Sequence, residues 1–456
     1  MNDTICALAT APGGALGIIR ISGPQALEIL SHVFTKDLSD AQPNTIHYGH
    51  IVESKAVSQH PTPIDEVLVS VFRAPHSYTG EESAEISCHG SRYILNKVLA
   101  LLIENGCRQA NPGEFTQRAF LNGKMDLSQA EAVADLIASG NKATHQIAMN
   151  QLRGHFSSEL AQLREQLLKL TSLIELELDF SDHEDLEFAD RNELLDIANK
   201  INNRITSLAH SFETGQALKS GIPVAIIGKT NVGKSTLLNR LLHDDRAIVS
   251  SIHGTTRDTI EDTIDINGVT FRFIDTAGIR QTTDQIEQIG IERTYAAIEK
   301  ARIILWIIDA EPTPEEIQEM QERCMDKSLI IIQNKIDKQD TNLNCSLCTT
   351  HYALIKISAK HGQGLDTLEK TIYQAANIPT LSATDIIVTN ARHYDALTRA
   401  GHSLAHVFEG LQTGLSGDLL SEDLRDVLTI LSEITGGEIT TNEVLGNIFK
   451  NFCVGK

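Results

Sequence analysis

A glycine-rich stretch in the middle of the chain has the residue types and spacing of a phosphate-binding loop. Gly228, Gly233, Lys234 and Ser235 form the pattern G-x4-G-K-S after the apolar run 224–227. In such a loop, backbone N–H groups surround phosphate oxygens at a helix N-terminus, where the helix dipole favours anions. The lysine reaches the β- and γ-phosphates, and the serine hydroxyl ligates Mg²⁺. The pattern therefore predicts a nucleoside triphosphate site.

A second motif indicates that the base is guanine. Asn334, Lys335 and Asp337 form N-K-x-D after another apolar run, and the tripeptide 358–360 reads S-A-K. A carboxylate at the Asp337 position accepts hydrogen bonds from N1–H and the exocyclic amine of guanine, while the Asn334 amide faces N7 and O6. Adenine presents the wrong edge to this arrangement.

Residues for Mg²⁺ and the γ-phosphate lie between these two motifs. Asp275 follows the strand-like FRFI and would hold Mg²⁺ through water, the Gly278 N–H would sense the γ-phosphate, and Thr256 would join Ser235 as an Mg²⁺ ligand. Four elements in this order predict GTP binding. The predicted GTP-binding residues are Asn231, Val232, Gly233, Lys234, Ser235, Thr236, Ser250, Ser251, Ile252, His253, Gly254, Thr255, Thr256, Asp275, Thr276, Ala277, Gly278, Asn334, Lys335, Asp337, Ser358, Ala359 and Lys360.

The chain lacks the glutamine that orients the attacking water in many small GTPases, because Ile279 follows Gly278. The amide oxygen of Asn231 could instead hold a monovalent cation beside the phosphates, in the place of an arginine finger. Such a group is worth about 10³–10⁵ in rate. Glu287 is a carboxylate just beyond the switch glycine, although spacing alone favours a solvated surface position for it.

These motifs must be positioned by a protein that combines α/β and all-α parts. Residues 1–118 have a mixed α and β pattern, 119–215 are helical, 216–378 alternate strands and helices in a doubly wound order, and 379–456 are helical again. We therefore predict an α/β domain that interrupts one helical domain.

Two local patterns support the helical assignment. Ser128 and Glu131 have the spacing of a capping box. Apolar residues then recur at a 3-4-3 spacing typical of a buried bundle seam: Leu160, Leu163, Leu167, Leu170 and Ile174.

Composition restricts the class of protein. The 456 residues carry 39 basic and 60 acidic side chains, a formal charge of −21, which argues against a general nucleic-acid coat. The apolar runs are too short to span a bilayer, and the N-terminus lacks a basic signal region. Seven scattered cysteines suit a reducing compartment. We expect a cytoplasmic protein without membrane segments.

Further segments extend the pattern beyond a common GTPase. They read GIIRISG, TGEESAEISCHG, NPGEFTQRAFLNGKMDLSQAEA, DQIEQIGIER and, at the C-terminus, FCVGK. Together with the four GTPase elements, they resemble the MnmE (TrmE) family of tRNA-modifying GTPases over essentially the whole chain. The likeness implies an N-terminal folate-binding and dimerisation domain, and a Ras-like GTPase domain inserted into the helical one.

The resemblance also implies roles for individual residues. It makes the chain a homodimer in which K⁺-dependent pairing of two GTPase domains activates hydrolysis. Glu287 becomes the residue that orients water, which reverses the interpretation from spacing. The implied K⁺ ligands are Asn231, Ser250, Ile252 and Thr255, and the implied contacts to a tetrahydrofolate derivative (formyl or methylene form) are Arg20, Glu85, Lys124 and Lys456. The Lys456 contact requires the chain end to return to the N-terminal domain.

The implied reaction adds an aminomethyl or carboxymethylaminomethyl group at C5 of the wobble uridine of certain tRNAs, with a separate partner of MnmG (GidA) type that carries FAD. Cys453 is a candidate catalytic residue, with packing as the alternative. Two other functions stay open: a ribosome-assembly GTPase, and a GTP switch without catalysis that gates a partner.

Overall fold

The computed structural model of the protein describes residues 3–53, 62–179, 191–244, 262–274, 295–338, 353–379, 385–437, 445, 448–450 and 452–455. The chain divides into two compact units. The first comprises 1–137, 151–202 and 396–456, and the second comprises 138–150 and 203–395.

The first unit contains a six-stranded sheet in the order β3-β4-β5-β2-β1-β6. Its strands are β1 (Ile5–Leu8), β2 (Leu16–Ser22), β3 (Thr45–Val52), β4 (Pro63–Phe72), β5 (Ser83–His89) and β6 (Arg108–Gln109). Buried residues alternate along β4 and β5, as expected for strands with one face on a core. That core is closed by helices α1 (Ala26–Val33) and α2 (Arg92–Glu104).

Helices complete the first unit. They are α3 (Glu114–Leu121), α4 (Leu127–Ala138) and α6 (His155–Asp179), with the first part of α7 (Arg191–Ser220), most of α11 (Ala391–Thr413) and α12 (Gly417–Thr435). The bundle seam predicted along α6 is confirmed, because all five of its apolar residues are buried. Helix α6 packs against α12.

The second unit contains a six-stranded sheet in the order β12-β11-β10-β7-β9-β8. The strands are β7 (Ile222–Ile227), β8 (Asp262–Ile266), β9 (Val269–Phe273), β10 (Ile303–Ile308), β11 (Ser328–Gln333) and β12 (Ala353–Lys356). All pairings are parallel except that of β8 with β9. Every residue of β10 is buried, as expected for a parallel strand covered on both faces.

Helices on both faces of this sheet complete the mixed α/β architecture expected from the sequence. They include α8 (Lys234–Asp244), α9 (Pro314–Arg323) and α10 (Leu365–Ala375). Helix α5 (Lys142–Leu152) contributes Ala143 and Ile147 to the same apolar core. In the described ranges, no helix is both long and apolar enough to cross a bilayer.

Candidate active site

The phosphate-binding loop lies between β7 and the first residue of α8, as the motif predicts. Gly228 has φ of +146°, and a Cβ there would lie 2.4 Å from the Ile307 carbonyl oxygen. Gly233 has φ of +105°, and a Cβ there would lie 2.3 Å from Asn334 Nδ2. Both glycines are therefore required by conformation and by space. The tight loop ends at the N-terminus of α8, the geometry that receives phosphate oxygens.

Lys234 begins α8 and turns back over the loop. Its ammonium group donates hydrogen bonds to the carbonyls of Gly228 and Lys229. Burial lowers the pKa of this ammonium group, because a charge is harder to hold away from water. A phosphate that entered the loop would offer stronger acceptors to the same ammonium group. Ser235 and Thr236 follow in the first helical turn, where a hydroxyl can reach Mg²⁺.

The guanine motif is joined to the phosphate loop by one buried side chain. Asn334 Nδ2 donates to the carbonyl of Val232 at 2.8 Å, and Asn334 Oδ1 accepts from the Ala359 N–H at 3.0 Å. All three residues are buried. Asn334 therefore fixes the loops after β7, β11 and β12 relative to one another, and its role in this structure is to support the base site.

The carboxylate of Asp337 is anchored and ionised, so it can accept hydrogen bonds. Ser358 Oγ donates to Asp337 Oδ1 at 2.7 Å, and this hydrogen bond holds the pKa of the carboxyl below its usual range. His361 Nε2 lies 3.9 Å from the other carboxylate oxygen. An ionised carboxylate with one oxygen anchored can present the other to the donors of guanine.

Lys335 and Lys360 complete the described base-site residues. The Lys335 ammonium group pairs with Asp309 at 2.7 Å, directly after β10, and the Lys335 backbone has φ of +66°. Asp309 is a partner that the sequence analysis missed, although an acidic residue at a strand end is a visible signal. Lys360 is exposed beside the buried Ser358 and Ala359.

Only part of the predicted ion and hydrolysis machinery is described. Asn231 is exposed at the tip of the loop with φ of +64°, so its amide is accessible to a ligand such as K⁺. The following predicted residues lie outside the described residues: Ser250, Ser251, Ile252, His253, Gly254, Thr255, Thr256, Asp275, Thr276, Ala277, Gly278, Glu287 and Lys456. Among the described residues, no group of three or more His, Cys, Asp or Glu side chains could hold a metal ion.

In the first unit, Arg20 and Glu85 form a half-buried ion pair. Arg20 Nη2 and Glu85 Oε1 are 2.7 Å apart, on neighbouring strands whose register places the two residues opposite each other. The guanidinium carbon also lies 5.4 Å from the ring centroid of Tyr78 and 5.6 Å from that of Phe115. Neither aromatic residue was among the predicted contacts, although Phe115 lies in the quoted segment NPGEFTQRAF.

The C-terminal segment reaches this ion pair. Arg20 Nη1 donates to the carbonyl of Gly455 at 3.1 Å across 435 residues of sequence. Gly455 has φ of +92°, and a Cβ there would lie 2.2 Å from the Leu8 carbonyl oxygen, so only glycine fits. The chain end therefore does return to the N-terminal sheet. Cys453 is exposed, and its carbonyl accepts from the Gly113 N–H at 3.3 Å.

Lys124 and the Arg20 pair both contact the segment between β4 and β5. Lys124 Nζ donates to the Pro75 carbonyl at 2.9 Å, and Tyr78 lies beside Arg20. Asn122 Nδ2 anchors the same segment through the Thr79 carbonyl at 2.8 Å. The structure thus brings three of the four predicted folate contacts to one neighbourhood. A half-buried charged pair beside aromatic rings suits a polar heterocyclic ligand.

Two protein-family models match this chain. The family model for the MnmE helical domain matches residues 127–453, and that for the GTP-binding protein TrmE N-terminus matches residues 4–124. This chain belongs to the MnmE family of tRNA modification GTPases. The matched regions contain the nucleotide-site motifs and Arg20, Glu85 and Lys124.

Individual MnmE relatives cover the whole chain. Proteins named tRNA modification GTPase MnmE are 55% identical in Phocaeicola vulgatus (100% of this chain and 99% of that protein) and 55% identical in Bacteroides thetaiotaomicron (100% of both). That of Christiangramia forsetii is 50% identical over 100% of both chains. The G domain of the T. maritima FeoB iron transporter matches 34% of this chain and 98% of its own, with 22% identity and a TM-score of 0.26, which adds nothing to the fold described above.

In this MnmE chain, the NPGEFTQRAF segment forms a buried charge network. Arg118 is 1% exposed and pairs with Glu114 at 3.0 Å, Asp3 at 2.7 Å and Glu81 at 3.2 Å, while Arg108 also pairs with Glu114. Burial alone would raise the pKa of the Glu114 carboxyl, but hydrogen bonds from Arg108, the Asn111 N–H and Arg118 outweigh burial and lower it. The segment thus anchors α3, which carries Phe115 under Arg20.

Proposed function

We propose that this chain hydrolyses GTP and, with an FAD-dependent partner of MnmG type, adds an aminomethyl or carboxymethylaminomethyl group at C5 of the wobble uridine of certain tRNAs. Full-length identity with proteins named tRNA modification GTPase MnmE supports the GTPase and tRNA parts of this proposal. We also propose a cytoplasmic location and a helical domain of residues 119–215 and 379–456, which the GTPase domain 216–378 interrupts.

One observation supports the carbon chemistry most directly: Arg20 binds the carbonyl of Gly455. This contact brings the residue before Lys456 to the ion pair predicted to hold a tetrahydrofolate derivative. Arg20, Glu85, Lys124 and Lys456 would bind the ligand, which supplies the one-carbon unit when bound. FAD belongs to the partner. Cys453 is adjacent to this segment and exposed, which is compatible with a role in the reaction.

For hydrolysis, the chain would use the phosphate loop together with segments supplied by a homodimer. Lys234 would neutralise the phosphates, while Ser235 and Thr256 would hold Mg²⁺. Asn231, with Ser250, Ile252 and Thr255, would hold K⁺, and Glu287 would orient water. The exposed position of Asn231 at the tip of the phosphate loop supports the K⁺ proposal.

Isotope transfer tests the complete function. Methylene-tetrahydrofolate labelled in the one-carbon unit is incubated with tRNA, this chain, its FAD-dependent partner and GTP. We expect label in tRNA only when all components are present, and loss of label with Glu287→Ala, which still binds GTP. Label transfer by the partner alone would contradict the proposal. Full label transfer to tRNA by Glu287→Ala would instead favour a GTP switch that does not need hydrolysis.

The cation proposal has a separate test. GTP hydrolysis is measured in K⁺ and in Na⁺ over a range of protein concentrations, with Asn231→Ala as the comparison variant. Selective stimulation by K⁺ that grows with concentration is expected for the wild type and not for the variant. Equal rates in both salts would contradict the assignment of Asn231.

We also propose that the partner supplies much of the tRNA-binding surface, because a charge of −21 disfavours extensive phosphate contacts by this chain alone. Filter binding of tRNA at physiological salt should be weak for this chain alone and tight for the pair. Tight binding by this chain alone would contradict the division of roles.

A further inference from the structure

Helix α5 is far from the GTPase motifs in sequence but packs against the sheet that carries them. Ala143 and Ile147 of α5 are buried in the same cluster as Ile264 and Phe271 of strands β8 and β9. Residues 138–150 belong to the second compact unit, whereas the residues on either side of this range belong to the first. The apolar face of α5 is therefore part of the core of the GTPase unit.

The N-terminus of α5 also binds the turn between β8 and β9. The Ala143 N–H donates to the Gly268 carbonyl at 3.0 Å, which satisfies one of the free N–H groups at a helix start. Gly268 has φ of +83°, and a Cβ there would lie 2.9 Å from the Lys142 Cβ. The close approach of helix and turn thus depends on glycine.

Asn141 joins the helix to the strand with both ends of its amide. Its Oδ1 accepts from the Thr144 N–H at 2.8 Å and so caps α5, while its Nδ2 donates to Thr270 Oγ1 at 2.8 Å. A residue that only capped the helix would need no donor. The second bond therefore links the cap to β9.

The hairpin held in this way lies between the two nucleotide-sensing segments of the sequence. Strand β8 starts at Asp262, after the segment that contains Thr256, and β9 ends at Phe273, two residues before Asp275. Strand β8 is at the edge of the sheet and pairs only with β9 among the described strands. A displacement of the hairpin would therefore move Asp262, which follows the Thr256 segment, and Phe273, which precedes the Asp275 segment.

We propose that Asn141 is a positioning residue for GTP hydrolysis, which acts by holding the β8–β9 hairpin that connects, along the sequence, Thr256 with Asp275. This inference rests on the proposed GTPase function. Pre-organisation of groups that act on the γ-phosphate lowers the barrier of the chemical step. The loops that bind phosphate and base are anchored separately by Asn334.

The test is steady-state GTP hydrolysis by the full-length chain at saturating K⁺ and fixed protein concentration. Asn141→Ser keeps a capping hydroxyl but is too short to reach Thr270, and Thr270→Val removes the acceptor. We expect each variant to lower kcat about threefold to tenfold, the range of one neutral hydrogen bond, with KM and GDP affinity unchanged. The double variant should be no worse than either single variant.

Two comparisons separate positioning from general damage. Asn141→Asp keeps the cap and can accept a hydrogen bond from the Thr270 hydroxyl, so it should restore most of kcat. Ser211→Ala removes the hydrogen bond that the Val388 N–H donates in the same unit, away from the hairpin, and should leave kcat unchanged. An unchanged kcat for Asn141→Ser, or an equal loss for Ser211→Ala, would overturn the inference. Absence of GTP hydrolysis by the wild type would instead overturn the proposed function.

Discussion

Replacing Asn334 with alanine removes the side chain that joins the phosphate loop to the base-binding loops. The variant loses one hydrogen bond to the Val232 carbonyl and one from the Ala359 N–H, and both groups stay buried. An unsatisfied buried polar group costs about 1–3 kcal/mol, so two such groups cost about 2–6 kcal/mol. This is a large fraction of the 5–15 kcal/mol that is typical of domain stability.

The single tryptophan gives a selective readout of this loss. Trp306 lies on β10 and is 7% exposed in the core of the second unit, so its fluorescence reports unfolding of that unit. We expect the urea midpoint of Asn334→Ala to fall with little change in slope. GDP affinity, measured by energy transfer from Trp306 to a fluorescent GDP analogue, should fall at least about tenfold, since freed loops must be ordered on binding.

Asn334→Asp is the matched control, because it keeps an acceptor for the Ala359 N–H but places a carboxylate oxygen against the Val232 carbonyl. It should be at least as damaging as alanine if the bond to the phosphate loop dominates. Wild-type values of both the urea midpoint and the GDP affinity in Asn334→Ala would refute the role assigned to this side chain.

Three further changes probe other parts of the molecule. Gly455→Ala would place a Cβ 2.2 Å from the Leu8 carbonyl oxygen, so folate binding by calorimetry should weaken at least about tenfold while GTP hydrolysis is unchanged. The pKa of Glu114 is lowered in the folded protein, so its ionised carboxylate stabilises the fold above the ordinary pKa of about 4.3, and this contribution is lost as pH falls through the lower folded pKa. Glu114→Gln should therefore flatten the acid limb of a plot of unfolding free energy against pH, measured by circular dichroism. Lys229→Ala breaks an exposed pair with Glu316 and should change the free energy of unfolding by less than about 1 kcal/mol.

The nucleotide site could be predicted from sequence because its parts are local. Each described part is a short loop that follows a parallel strand, and the carboxyl ends of such strands share one edge of the sheet. Spacing therefore gave the identities of Lys234, Asn334 and Asp337 and placed them together. Spacing did not predict their contacts within the protein: Asn334 also supports the neighbouring loops, and Asp309 as a partner of Lys335 was missed.

The start of helix α4 was predicted incorrectly, because two overlapping pairs of residues could each form the capping box. The sequence predicted a capping box from Ser128 to Glu131, but Ser128 is buried inside α4. The structure instead places the reciprocal pair two residues earlier, with Asp126 Oδ1 accepting from the Gln129 N–H and Gln129 Oε1 accepting from the Asp126 N–H. Both pairs have the same three-residue spacing, so spacing alone cannot choose between them. The same spacing, which again predicts a helix start, recurs in the sequence at Thr440 and Glu443, and these two residues lie outside the described residues.

The Arg20 site and the position of α5 could not be predicted in the same way, because both depend on long-range contacts. Apolar periodicity shows that a helix has a buried face, but it does not show which core receives that face. Ala143 and Ile147 would have satisfied a helical bundle as well as they satisfy the parallel sheet. The contact of Arg20 with Gly455 likewise has no local signal, and the resemblance to a family was needed to expect it.

The nucleotide site and the Arg20 site should therefore respond differently to amino-acid substitutions. The nucleotide site depends on short loops, so substitutions that damage it should lie within or next to its motifs. The Arg20 site depends on a glycine near the other end of the chain and on the buried network beneath Phe115. Substitutions at Gly455 or Arg118 should therefore impair folate binding although neither position belongs to the predicted contacts. Separate measurements of folate and GDP binding on such variants distinguish the two kinds of dependence, since only the first should change.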